Sequence, residues 1–146
     1  MVKPGRDMRE NGCLEKPQGT RERPAMPHLT IDHSVRLTGA FDACALVKEL
    51  HPLVVEESGS SGVCKTLIRP VETYAGDPPG RETAFVHVEV GLMPGRSEAQ
   101  KARLSESVLG LLARHLPAGD DAEGQVVISV EVRDLAGSYR LSPSAR

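Results

Sequence analysis

A methionine followed by a proline opens the first patterned stretch of the chain, Met26-Pro27-His28-Leu29-Thr30-Ile31-Asp32. If translation begins at Met26 and that methionine is removed, Pro27 becomes a free secondary amine, and a free amine is a base. An ordinary α-amino group titrates at about 7.7–8.0, and a proline amine is more basic still. It serves as a base near neutral pH only where burial or nearby cations lower its pKa. Arg96 precedes a helix-start pattern, where the helix dipole and the free N–H groups of the first turn assist a cation in holding an anion. His28 follows the candidate base directly. A positioned base can move a proton, and cations beside it suit an anion. Each residue also has a structural reading: Pro27 as the first residue of an edge strand, Arg96 as a solvated arginine, His28 as a hydrogen-bonded strand histidine.

The elements that must position these residues follow from periodicity. Pro27 to His33 alternates Leu29, Ile31 and His33 against His28, Thr30 and Asp32, which predicts a first strand. Ala40, Cys44, Val47, Leu50 and Val54 form one helical stripe, with Pro52 predicting a kink or an early end near His51. Residues 57–62 read as a flexible connector without chemistry. Val63 to Tyr74 is rich in β-branched residues and predicts a second strand, with Pro70 marking a bulge, an edge or a break. Residues 77–80 read as a turn. Thr83 to Val90 predicts a third strand with its valines on one face and Phe85, His87 and Glu89 on the other; His87 is read as bonding or packing within the sheet. Ser97-Glu98-Ala99-Gln100 is a capping-box pattern that starts a second helix, carried by Leu104, Val108, Leu111 and His115 and stopped by Pro117 and Gly119. Gln125 to Leu135 alternates as a fourth strand, and the tail from Ala136 is weakly patterned.

Strand, helix, strand, repeated once, predicts an α+β two-layer fold of duplicated β-α-β units. Each helix is the right-handed crossover that a parallel strand pair needs, giving a four-stranded mixed sheet with both helices on one face. Valines on both faces of the strands then leave the uncovered face too apolar for water, which predicts oligomerisation through the sheets.

Composition narrows the classes further. At 146 residues the chain suits one domain, assigned to residues 26–146, while residues 1–25 are read as a disordered leader or a mis-assigned start. A net charge of -2 and 3% aromatic residues offer neither a field nor a stacking platform for nucleic acid. No apolar run is long enough for a membrane span, and no secretory signal opens the chain, so a cytoplasmic protein is expected. Three cysteines without a CxxC or Cys/His cluster argue against a disulfide framework and a zinc site, and Cys44 and Cys64 are read as small core or interface residues.

Three segments then carry a family resemblance: Met26-Pro27-His28, Ala84-Phe85-Val86-His87-Val88, and Gly95-Arg96-Ser97. In this order they resemble the tautomerase superfamily, and within it the 5-carboxymethyl-2-hydroxymuconate Δ-isomerases, over most of residues 27 to 135. The resemblance implies a cofactor-free, metal-free isomerase. Its substrate would be a small anion, an unsaturated di- or tricarboxylate from aromatic-compound degradation, and its assembly a homotrimer with sites near subunit boundaries. Carried over by position, Pro27 is the catalytic base and Arg96 a substrate-binding arginine. A second family arginine falls on Lys65, and Leu67 stands where another basic residue often sits. Lysine keeps the charge and gives up the bidentate fork, for which Arg69 is a candidate to compensate. His28 is a candidate to line the site. The alternative is a non-catalytic trimeric relative, because a retained leader makes the Pro27 nitrogen an amide without a basic lone pair.

Overall fold

The computed structural model describes residues 26–60, 63–74, 83–117 and 125–142. Its elements are β1 (His28–Ser34), a short 3-10 turn (Val35–Leu37), α1 (Ala43–Ser58), β2 (Lys65–Val71), β3 (Thr83–Leu92), α2 (Glu98–His115) and β4 (Gln125–Asp134). The sheet order is β2-β1-β3-β4. β1 runs parallel to β2, β3 runs parallel to β4, and the two halves meet antiparallel along β1 and β3. This is the duplicated β-α-β arrangement expected from the periodicity. The expectations for residues 1–25 and 77–80 lie outside the described residues.

Alternation sets which face each strand residue serves. Leu29 and Ile31 of β1 and Val86, Val88 and Val90 of β3 are buried beneath Leu46, Leu50 and Val54 of α1 and Leu104, Val108 and Leu112 of α2. Each such side chain contributes about 1.5–3 kcal/mol by leaving water. The helices begin where side chains cap them: Asp42 accepts the Ala45 N–H, and Ser97 accepts the Gln100 N–H. Gly59 ends α1 in the left-handed conformation at φ 70°.

Several local expectations are corrected. α1 passes through Pro52 to Ser58 without ending early; Pro52 lies on the exposed side, so the helix carbonyl it leaves without an N–H partner faces water. Cys44 is exposed and disulfide-bonded, whereas Cys64 is buried and free, its thiol pushed up to about 12 by burial. The capping box is half made, because the Gln100 side chain reaches the Glu57 carbonyl at 3.2 Å instead of turning back on Ser97. Pro70, by contrast, sits on an edge strand, β2, one of the three places expected for it, where a missing N–H is tolerated.

The sheet face away from the helices is not the apolar surface that was expected. It carries Asp32 beneath a two-point Arg69 contact at 2.7 and 3.0 Å, Arg133 on Glu89, and His87 at 2.7 Å from the Ser129 hydroxyl. Leu67, Phe85 and Val127 are the larger apolar groups among these charges. Alternation places valines mainly on the helix side, and the outward positions hold ions that pair across neighbouring strands.

Candidate active site

The topology brings four chain segments to one end of the sheet. β1 and β2 begin there, while β3 and β4 end there, as the row Lys65, His28, Gly91, Arg133 across the four strands records. The segment entering at Pro27, the α1–β2 connector, the β3–α2 loop and the C-terminal segment after Asp134 therefore meet at this end. Pro27 is buried, and its carbonyl accepts the Lys65 N–H at 3.0 Å. In this 146-residue chain its nitrogen is joined to Met26.

His28 lies beside it on β1. Its Nε2 is 3.0 Å from the Tyr139 hydroxyl, and the two rings meet edge to face, with centroids 5.1 Å apart at 89°. Burial, and then the Lys65 ammonium, hold the imidazole pKa below its ordinary value, so the ring is neutral at neutral pH. Lys65 is exposed and has no carboxylate partner among the described residues.

Tyr139 reaches His28 because the C-terminal segment folds back over this end. The Leu135 N–H donates to the Leu92 carbonyl at 2.7 Å, and the Leu135 side chain fills the space above Gly91. A Cβ at position 91 would come within 2.7 Å of Leu135 Cδ2. The segment then turns, with the Tyr139 N–H on the Ala136 carbonyl and Arg140 donating to the Gly137 and Tyr139 carbonyls. Sequence reasoning missed Tyr139. The available signal was a lone tyrosine in a tail, in a chain with two tyrosines and no tryptophan.

Arg96 stands at the same end of the sheet but is turned toward α1. Its Nε donates to the Ser58 carbonyl at 2.8 Å, one Nη to the Met93 carbonyl at 3.0 Å and the other to Ser60 Oγ at 3.3 Å. A cation at the carboxyl end of a helix is stabilised by the exposed carbonyls. Three of its five N–H groups are thus used within the chain. Two of the acceptors, Ser58 at the end of α1 and Ser60 just after it, fall within residues 57–62, read as a connector without chemistry. Arg69 lies further along β2, held by Asp32, whose carboxyl stays below the usual carboxylate range chiefly through the Arg69 hydrogen bond. The structure therefore brings Pro27, His28 and Lys65 together, sets Arg96 in the adjoining loop, and leaves Arg69 apart.

A separate polar cleft of about 440 Å³ lies in the helical layer, lined by Glu57, Gln100, Arg103, Glu106 and Ser107. None of Pro27, His28, Lys65, Arg96 or Tyr139 lines it. Among the described residues no three His, Cys, Asp or Glu converge as metal ligands, and no helix is long and apolar enough to cross a membrane.

A mixed four-stranded sheet built from two β-α-β units, with a proline at the start of its first strand, defines a tautomerase-like architecture. The chain matches the 5-carboxymethyl-2-hydroxymuconate isomerase family over residues 27–144 and belongs to that family. Its fold is similar to that of a 5-carboxymethyl-2-hydroxymuconate isomerase from Deinococcus radiodurans R1, with a TM-score of 0.66 and 23% identity over 80% of this chain and 90% of that one. A 5-carboxymethyl-2-hydroxymuconate delta-isomerase gives the same TM-score at 21% identity, over 82% of this chain and 89% of that one. Comparison with curated proteins gives no match.

Proposed function

We propose that the domain is a cofactor-independent tautomerase of the 5-carboxymethyl-2-hydroxymuconate Δ-isomerase type, acting in the cytoplasm on an unsaturated di- or tricarboxylate. Pro27, freed as an N-terminal amine, is the general base. It takes a proton from one position of the conjugated substrate and, as the ammonium, returns it to another. Burial lowers the pKa of such an amine, and the neighbouring Lys65 charge acts in the same direction. Lys65 and the remaining N–H groups of Arg96 bind substrate carboxylates, and His28 lines the site. The observation that carries the reading is a coincidence of two boundaries: the family match starts at residue 27, and the sheet is fastened to that same residue through its carbonyl.

The domain assembles as a homotrimer through the sheet faces. Support comes from the open face itself, where Arg69, Glu89 and Arg133 already have partners within the chain and so lose less on dehydration than isolated ions, while Leu67, Phe85 and Val127 supply apolar contact.

The test compares two forms whose N-termini are verified by intact mass: the chain beginning at Pro27 and the full chain with its Met26–Pro27 bond. The first ketonises 2-hydroxymuconate-type enols; the second is slower by the worth of a positioned base, about 10²- to 10⁴-fold. Equal turnover by a full chain with that bond intact overturns the assignment of Pro27.

A further inference from the structure

The contact between Tyr139 and His28 joins positions 111 residues apart, and neither the family match nor the proton transfer described above explains why it exists. The C-terminal segment makes a specific effort to form it. Leu135 extends the pairing of β4 with β3 onto the Leu92 carbonyl, its side chain occupies the place a residue larger than Gly91 would take, and the turn at Ala136–Tyr139 aims the phenol at the ring. Of the two ways to share one hydrogen at 3.0 Å, a phenol O–H donating to an imidazole lone pair is the better matched, because a neutral imidazole nitrogen accepts more strongly than a phenol oxygen. The other nitrogen, Nδ1, then carries the ring hydrogen. Among the described residues it has no partner.

We infer that Tyr139 is a positioning residue that fixes His28 as the Nδ1–H tautomer, so that a neutral imidazole N–H is presented to an oxygen of the anionic ligand beside Pro27. This rests on the functional reading above and deepens it. A neutral imidazole donor stabilises a developing enolate oxygen without surrendering its proton, and Lys65 supplies the charge that the imidazole lacks. Burial and the Lys65 charge on β2 both disfavour the imidazolium. Arg133, two strands away across Gly91, is already paired with Glu89 on the same face, and a phenol O–H donated to the ring favours its neutral form.

The test is nitrogen-15 NMR of the histidine rings in the full 146-residue chain, which requires no turnover and leaves Pro27 in its amide bond. Wild-type His28 is expected as the Nδ1–H tautomer at neutral pH, and Tyr139→Phe, which keeps the ring, shifts it toward Nε2–H and raises its titration midpoint. An Nε2–H wild type, or a tautomer unchanged in Tyr139→Phe, overturns the inference. A measurement on the wild type alone guards against a variant that fails to fold: the Tyr139 ring signals titrate with His28, and their indifference to that titration is equally fatal. Muconate added as a probe moves the Nδ1–H resonance; no movement at saturating probe removes the ligand-facing role. Failure of Pro27 as base leaves these readings intact, so the two ideas fall separately.

Discussion

The two ends of the sheet are built from different chemistry. Where β1 ends, the Ser34 hydroxyl accepts the Phe85 N–H at 2.8 Å and lies 2.7 Å from the Thr73 hydroxyl, so a side chain extends the ladder where the strands separate. Every group in that arrangement is neutral and satisfied. Where β1 begins, a buried proline is held by its carbonyl alone, a neutral histidine is braced by a distant tyrosine, and a lysine stands without a counter-ion among the described residues. Between them, the open face is neutralised by Asp32 with Arg69 and Glu89 with Arg133. Hydrogen-bond satisfaction marks the end that maintains the fold. The Lys65 charge, unpaired among the described residues, marks the end to which the functional reading assigns the site.

That contrast can be broken by substitution, and the expected effects fall in a definite order. In protein beginning at residue 27, Pro27→Ala lowers kcat by about 10²- to 10⁴-fold with little change in the melting temperature, because proline supplies no ladder N–H; a retained kcat erases the distinction between the two ends. Arg96→Ala strips the end of α1 of a charged donor and costs about 1.5–3 kcal/mol in urea denaturation, with KM for dicarboxylates rising as well. Ser34→Ala leaves the Phe85 N–H without an acceptor and costs about 1–3 kcal/mol, while kcat in the residue-27 form stays unchanged. Asp32→Asn gives a pH-dependent loss. The Asp32 carboxyl titrates lower in the folded chain than unfolded, so its contribution is present above the unfolded value of about 3.9 and disappears as pH falls through the depressed folded value. Urea midpoints of wild type and variant therefore differ near neutrality and converge in acid. The smallest effect is that of Lys65→Ala, which raises the His28 titration midpoint by NMR only slightly, because burial outweighs the lysine charge in holding it down.

Sequence pattern reached the architecture and part of the site for one physical reason: periodicity reports burial, and burial decides the layers. The alternation of Leu29 and Ile31, the stripe of Val47, Leu50 and Val54, and the Ser97 cap were all legible because the forces behind them act within one element. Even the approach of Lys65 to His28 follows from a parallel crossover that brings two strand starts together. Arg96 was legible as a cation at a helix start, but not as a brace, because backbone carbonyls such as those of Ser58 and Met93 leave no mark in a sequence. The Asp32–Arg69 and Glu89–Arg133 pairs needed the strand register, which decides whether outward charges meet or repel. Tyr139 needed the whole chain folded, since its segment has no period of its own.

The hydrogen bond from the Lys65 N–H to the Pro27 carbonyl has a consequence for the proposed role of Pro27 as an N-terminal amine. Proline has no amide hydrogen to give the sheet, so the ladder takes nothing from the nitrogen side of residue 27. Severing the Met26–Pro27 bond would convert an inert amide into a basic amine and break no ladder hydrogen bond. Under the functional reading proposed above, the same folded sheet would accommodate Pro27 as an inert amide or as a basic amine, with a single peptide bond separating the two.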